Sequence, residues 1–347
     1  MKRRTFLKFS STAAAAALTG TAGLIAWQPR AHAATINKEI WITEGTITQP
    51  DGVDVYFRGF SGSDSNLDVP GQVLVMAVGD TYNLTIHNTL NTSHRFVIDE
   101  LGIDRSVPAR STRSVSIAAS NPGTYAYYDS SNGINNRMVG LHGAMVVFPS
   151  GANTTLETNR DMPKHEYVWI FHDIDPAWNN AIRNGNNPPN NYTPRYFTIN
   201  GLSGRPPNSP GNGNPAVDSM HDPRTALHGH LGEHTKVRCI NTGRAQHSVH
   251  CHGNHMDWLS SNGQQRADVW SKDCIPLDAN NGTMEFIFPF EPAPDAWPPM
   301  TNATIAQATA EGRKTAYPMH LHDEMTQTAG GGLYMFGAMT DIFFEAN

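Results

Sequence analysis

Val73-Leu74-Val75-Met76-Ala77-Val78, the turn Gly79-Asp80 and Thr81-Tyr82-Asn83-Leu84-Thr85-Ile86-His87 decide the fold class. Each run is short, rich in β-branched and aromatic residues, and bounded by residues that suit turns, which is a strand signature. Working outward, Ser114–Ile117, Gly123–Tyr128 and Ala144–Phe148 repeat the pattern nearby. Further on, His165–Phe171, Tyr196–Ile199, Thr235–Asn241, Ser248–Met256, Thr283–Pro289, Ala316–His322 and Met335–Phe344 repeat it again. Helical periodicity is almost absent, and Ala303–Gly312 is the best helical stretch. Many short strands divided by turns call for β-sandwiches. The sequence therefore predicts an all-β chain of two sandwiches, residues 34–150 and 151–347, with Pro/Asn/Gly-rich loops at Asn184–Asn191 and Pro206–Pro215. Gly79-Asp80-Thr81 through Asn88-Thr89 to His94 echoes Gly232-Glu233-His234 through Asn241-Thr242 to His247, a weak internal repeat that implies a duplicated domain.

Residues 1–33 read as an export signal. Arg3 and Arg4, followed by Phe6, Leu7 and Lys8, form a twin-arginine pattern. An apolar run, Ala13–Ile25, follows, and Ala31-His32-Ala33 offers a small-residue cleavage site. The run is short and rich in Ala, Thr and Gly, so a lasting membrane span is not expected after cleavage, although an uncleaved anchor is the alternative. The expected location is periplasmic or otherwise exported. The signal carries five basic residues and no acid, so its removal takes the net charge from −6 to −11. That balance argues against nucleic-acid or anionic-membrane partners. An exported chain can form disulfides. Cys239 and Cys274 flank two predicted strands and could pair, leaving Cys251 odd; three free thiols are the alternative.

The chemistry concentrates in the second unit, where ten of the 16 histidines fall between His221 and His322. Two predicted strands there carry His-x-His triplets, His250-Cys251-His252 and His320-Leu321-His322. Residues i and i+2 on a strand share a face, so neighbouring strands would bring four imidazoles into one small volume. Imidazole suits copper, zinc, iron and nickel. Surface histidines with no metal are the bland alternative, but four imidazoles on one face are costly to bury without a ligand.

His247-Ser248-Val249-His250-Cys251-His252-Gly253-Asn254-His255 resembles the His-Pro-x-His-x-His-Gly-His motif of multicopper oxidases, with one residue inserted before the last His. Tyr317-Pro318-Met319-His320-Leu321-His322-Asp323-Glu324 resembles their C-terminal His-Cys-His motif. Asn200-Gly201, Leu231-Gly232-Glu233 and Arg238-x-x-Asn241-Thr242-Gly243 resemble flanking elements, and Gly123–Tyr128 and Gly140–Val147 resemble cupredoxin strands. The resemblance implies two cupredoxin-like Greek-key sandwiches and copper as cofactor. It implies His250 as a type 2 ligand and His252, His320 and His322 as type 3 ligands. A small-molecule or metal-ion reductant, O2 and a homotrimer are further family expectations.

The departures narrow that expectation. A type 1 site needs a thiolate with two imidazoles. In the second unit His247 is retained, but Leu321, Thr326 and Gly331 stand at the cysteine, second histidine and methionine positions. In the first unit His94 and Met138 remain, while Asp129 and Asn132 replace the cysteine and second histidine. Val97 and Asp99 stand where the first unit would need its own His-x-His. Two substitutes are conceivable: Cys251 joining His247 and Met325 in an unorthodox thiolate site, or His142 facing the cluster from the partner domain. A core thiol and a hydrogen-bonded strand histidine are the respective alternatives. His221, His228, His230 and His234 read as a solvated linker or a secondary metal-loading patch. Asp173 and Asp175 read as loop organisers. Glu324 is a candidate proton relay beside His322 or a turn charge.

Three functions follow: a copper oxidoreductase whose oxygen-type site lacks its blue-copper feeder, a non-catalytic copper-binding or delivery protein, and a copper-free cupredoxin scaffold.

Overall fold

The computed structural model describes residues 23–25, 33–150, 165–204 and 220–347 of the 347-residue chain. The twin-arginine pair, the cleavage site, the 150/151 boundary and the Pro206–Pro215 loop lie outside or at the edge of those residues. Within the expected signal, Leu24–Ile25 is described and pairs antiparallel with Glu166–Tyr167. No helix among the described residues is long and apolar enough to cross a membrane.

Each unit is a pair of packed sheets. In the first, Asp54–Ser61, Thr35–Thr48, Thr81–Asn88 and Thr112–Ile117 form one sheet. Leu74–Ala77, His142–Phe148, Gly123–Tyr128, His94–Ile98 and Ile103–Val107 form the other. Period-2 alternation aims one face of each sheet inward: Tyr82, Leu84 and Ile86 alternate with half-exposed polar residues and join Ile40, Ile42, Phe60, Phe96, Tyr127 and Met145 in one core. In the second unit, Leu227–His230, Met339–Glu345, Thr315–Leu321, His247–Cys251 and Cys274–Leu277 form a sheet facing a larger one built on His165–Ile174, His234–Asn241 and Gly282–Pro289. Trp169, Phe171, Val249, Met284, Phe286, Leu321 and Ile342 are among the residues of its core.

The internal repeat is structural. In the first unit the opening strand runs parallel to Thr81–Asn88, and Leu74–Ala77 runs parallel to the last strand. In the second, His165–Phe171 runs parallel to Thr235–Asn241, and Leu227–His230 runs parallel to the last strand. The two Asn-Thr pairs do the same job. Thr89 Oγ1 donates to Ile42 O at 2.7 Å, and Thr242 Oγ1 donates to Phe171 O at 3.1 Å, in each case across the parallel pair. Asn88 and Asn241 accept from the backbone two residues on and donate back into the following loop.

Two helices frame the second unit. Asn302–Ala310 lies where the sequence predicts it, with a Thr301/Thr304 capping box. Pro176–Arg183 is not expected from the strand pattern. Its signal was present in Asp175-Pro176: Asp175 accepts from Ala177 N and Trp178 N, and Pro176 starts the helix.

The units meet through an apolar layer of Ala126, Ala144, Val146 and Phe148 against Val168, Ile170 and Ile240. Beside it sits a buried ion network. Glu285 pairs with Lys236 Nζ at 2.9 Å and Arg238 Nη1 at 2.5 Å, and accepts from Thr124 Oγ1 of the first unit at 2.6 Å. Arg238 also pairs with Glu166.

The three cysteines are free, Cys239 and Cys251 buried and Cys274 half-buried, so the Cys239–Cys274 disulfide is not formed. Cys239 packs inside the core on the larger sheet, whereas Cys274 sits on the facing sheet opposite His250.

Candidate metal centre

His247–Cys251 and Thr315–Leu321 are adjacent antiparallel strands with His250 directly opposite His320. Alternation sends Val249, Cys251, Met319 and Leu321 into the core and the intervening histidines outward. The result is a cluster of four imidazoles. Ring centroids lie 4.6 Å apart for His250/His252, 5.1 Å for His250/His320, 5.3 Å for His250/His322 and 5.2 Å for His252/His320. His250, His252 and His320 offer donor atoms all within 4.8 Å of one another. His250 and His320 are half-buried, His252 and His322 exposed.

Backbone carbonyls select the tautomers. His250 Nδ1 lies 2.9 Å from Asp273 O, and His320 Nδ1 lies 3.0 Å from Leu321 O. A carbonyl only accepts, so both Nδ1 atoms carry the proton and both Nε2 lone pairs are left for a cation. This is the outer support that ligating histidines commonly have. His252 Nε2 and His320 Nε2 approach to 3.1 Å, about the separation of two ligands on one ion with bonds near 2.0 Å. Burial, then the neighbouring imidazoles, lower the pKa of His252; for His250 burial likewise leads, with His320 and His322 adding to it. Burial thus favours the neutral, ligating form of His250 and His252. The donor set fits copper, which imidazole suits.

Asp273 is the residue the sequence did not flag. Besides its carbonyl, its carboxylate lies 3.8 Å from His250 Nδ1. It precedes Cys274 at the start of the strand paired with His247–Cys251, and only that pairing brings it to the site. A groove of about 490 Å³ opens beside the cluster, lined by His250, His252 and His255 and by Asp257, Asp273, Glu291 and Asp295. Glu324 opens the short 3-10 turn after His322 and is exposed.

The other candidates lie elsewhere. His94 is fully buried: Nδ1 is 2.6 Å from Asp129 Oδ2 and Nε2 is 2.9 Å from Thr92 Oγ1, so neither nitrogen is free for a metal. Asp129 also accepts from Arg95 N, Ser131 and Asn136. Val97 pairs with Tyr128 as His250 pairs with His320, which puts Asp129 and Leu321 at equivalent positions. The thiolate position of one unit thus holds a saturated carboxylate, and that of the other a core leucine.

His142 does not face the cluster. It is buried at the contact between units, its Nδ1 2.9 Å from Arg137 O and its ring 4.3 Å from that of His172. His172 in turn is held by Thr242 Oγ1 and Met138 O. His247 is buried behind the cluster, its Nδ1 without a hydrogen-bond partner. Cys251 shares its face but is four residues on, about 13 Å along an extended strand, too far for a common metal. Burial also pushes the Cys251 thiol well up, and Met325 is exposed. The Cys251 site with His247 and Met325 is therefore not built, and Cys251 is a core thiol.

Burial lowers His142 and His247 to about 4. A folded pKa below the unfolded 6.5 means that the unfolded state takes up protons first, so stability is fully present above about pH 6.5 and falls as pH drops toward 4. Each group accounts for roughly 3 kcal/mol of that loss. Urea unfolding of the wild type and His142→Gln between pH 7 and 4 should show the variant's curve flatter by about that amount. Parallel curves would contradict it.

Comparison with known proteins agrees with the fold. Residues 69–147 match the family model of the cupredoxin-like domain. No curated protein matches the chain. The blue copper oxidase from Nitrosomonas europaea superposes with a TM-score of 0.68 at 17% identity, over 89% of this chain and 86% of that one. The copper nitrite reductase from Nitrosomonas europaea gives 0.58 at 17%, over 89% and 94%. The laccase from Botrytis aclada gives 0.63 at 14%, over 90% of this chain and 53% of that one. The chain is built of two cupredoxin-like domains, spans about half the length of the laccase, and identities this low speak to fold alone.

Proposed function

We propose that the chain is an exported, periplasmic copper oxidoreductase of multicopper-oxidase type, with His250, His252, His320 and His322 as copper ligands. The observation that carries this reading is the convergence of two His-x-His triplets on paired strands, with His250 and His320 held in the tautomer that presents Nε2. Copper, when bound there, would supply one-electron redox chemistry toward O2. The protein's own residues orient His250 and His320, favour the neutral form of His250 and His252 and leave one side open to the groove. With Asp129 and Leu321 at the two thiolate positions, a reductant has to deliver electrons at the cluster itself. The acidic groove walls, Asp257, Asp273, Glu291 and Asp295, favour a cationic or metal-ion reductant over an anionic one. Glu324, exposed two residues after His322, is the proposed proton relay. A second copy covering the exposed His252 and His322, as in a homotrimer, would complete the site's enclosure.

Copper analysis, electron paramagnetic resonance and O2 consumption on protein from the exported fraction test this reading. Bound copper without an intense blue band, together with reductant-dependent O2 uptake, is expected. Copper without turnover would instead identify a binding or delivery protein. Absence of copper from folded protein would leave a scaffold.

A further inference from the structure

We propose a second divalent-metal site, built from His228, His230 and Glu345 at the far edge of the same sheet. The stretch is not the solvated linker that its glycine suggests. Leu227–His230 is an ordered edge strand, parallel to Ile342–Glu345, with His228 opposite Phe343 and His230 opposite Glu345. Residues two apart share a face, so His228 and His230 project together, on the side where Asp341, Phe343 and Glu345 also project.

The Glu345 carboxylate lies between the two rings. His228 Nδ1 is 2.8 Å from Oε1, and His230 Nε2 is 3.8 Å from Oε2. Ligands on a tetrahedral ion with bonds of about 2.0–2.1 Å stand about 3.3 Å apart. The two spacings bracket that value, and rotation of two partly exposed imidazoles closes the set. The His228 ring is seated by stacking on Phe343, at 4.8 Å between centroids. His230 Nδ1 is shielded from solvent without a hydrogen-bond partner, and Nε2 is the ring atom that faces the Glu345 carboxylate. His221 pairs with Asp341 on the other side of Phe343, at 3.2 Å. Two histidines and a carboxylate with an open fourth position suit zinc and related ions. One cation opposes binding: Lys314 Nζ stands 4.8 Å from the centre of the Phe343 ring.

The site is separate from the four-histidine cluster. His320 pairs with Met339, and Glu345 is six residues further along that strand, roughly 20 Å away. It does not depend on the copper assignment.

Equilibrium dialysis of the full chain against Zn²⁺ and Co²⁺ tests it, with His250→Ala/His320→Ala as background so that the first site does not contribute. One ion per chain is expected, with the strong visible bands of tetrahedral cobalt. His228→Ala/His230→Ala should abolish binding, Glu345→Gln should weaken it about tenfold or more, and Lys314→Met should tighten it. Folded background protein that binds no ion, or an ion retained after loss of both histidines, overturns the proposal. Comparison of wild type with the background variant reports on the first site separately.

Discussion

Replacing His250 and His320 together by alanine will abolish copper retention and leave the metal-free protein folded. These two rings are the half-buried pair of the cluster, stand opposite one another across the strand pairing, and have their Nδ1 protons committed to Asp273 O and Leu321 O. Their removal leaves His252 and His322, both exposed, as the remaining imidazoles of the cluster. Loss of an outer partner alone commonly lowers metal affinity by about 10–100-fold, so loss of two oriented donors should exceed about a hundredfold. The core is untouched, because Val249, Cys251, Met319 and Leu321 face the other way. Stability without metal should therefore stay within about 0.5 kcal/mol. In the wild type, copper at 100 times its Kd adds about 2.7 kcal/mol by mass action, and that gain should vanish in the variant. Thermal unfolding with and without Cu²⁺, paired with copper analysis, reads both effects. Equal copper-dependent stabilisation of variant and wild type would refute the assignment.

Glu285→Ala should be strongly destabilising, by about 3–5 kcal/mol. Burial alone would raise this carboxyl, but Arg238 and Lys236 overcome it and hold the group well below its ordinary range. The alanine variant strands Lys236 and leaves Arg238 with Glu166 alone, both with little access to water: Arg238 is 3% exposed and Lys236 7%. It also removes the acceptor of Thr124, and with it a polar tie between the units. Since the folded pKa is depressed, the contribution is present above the unfolded value of about 4.5 and fades as pH falls through the folded one. The penalty measured by urea unfolding should accordingly be largest near neutrality. Replacing Glu285, Arg238, Lys236 and Glu166 together with apolar residues of similar size should recover much of the loss, because the cost lies in uncompensated buried charge. A loss below about 1 kcal/mol for Glu285→Ala would show that the network is not what it looks like.

Much of the candidate metal centre was legible in the sequence because strand periodicity acts locally. His250 and His252, or His320 and His322, must share a face wherever their strands lie. The Asn-Thr pairs were legible for the same reason, since an Asx bond closes within a few residues. The Pro176–Arg183 helix is announced only by Asp175-Pro176, and those same residues also suit a turn, so the local pattern does not separate the two.

A residue whose partner is distant in sequence carries no local sign of its role. His94 looks like a retained ligand until Asp129, 35 positions on, is seen to take its Nδ1. His142 looks like a second contributor to the cluster until its burial against His172 is known. Cys239 and Cys274 look like a pair until they fall on facing sheets. Asp273 carries no motif at all.

By itself, then, the sequence determined the all-β class, the duplication and the two same-face histidine pairs, since each depends on residue type and short-range spacing, and its resemblance to multicopper oxidases implied the loss of both thiolate positions. Tertiary structure alone decided that the two histidine strands are neighbours in register, that Asp273 and Leu321 carbonyls select the ligating tautomer, that His94 is closed to metal, and that His228, His230 and Glu345 meet at the opposite edge. Those facts depend on which strands pair and at what register, and pairing is settled by burial of both sheet faces across the whole chain rather than by any local pattern.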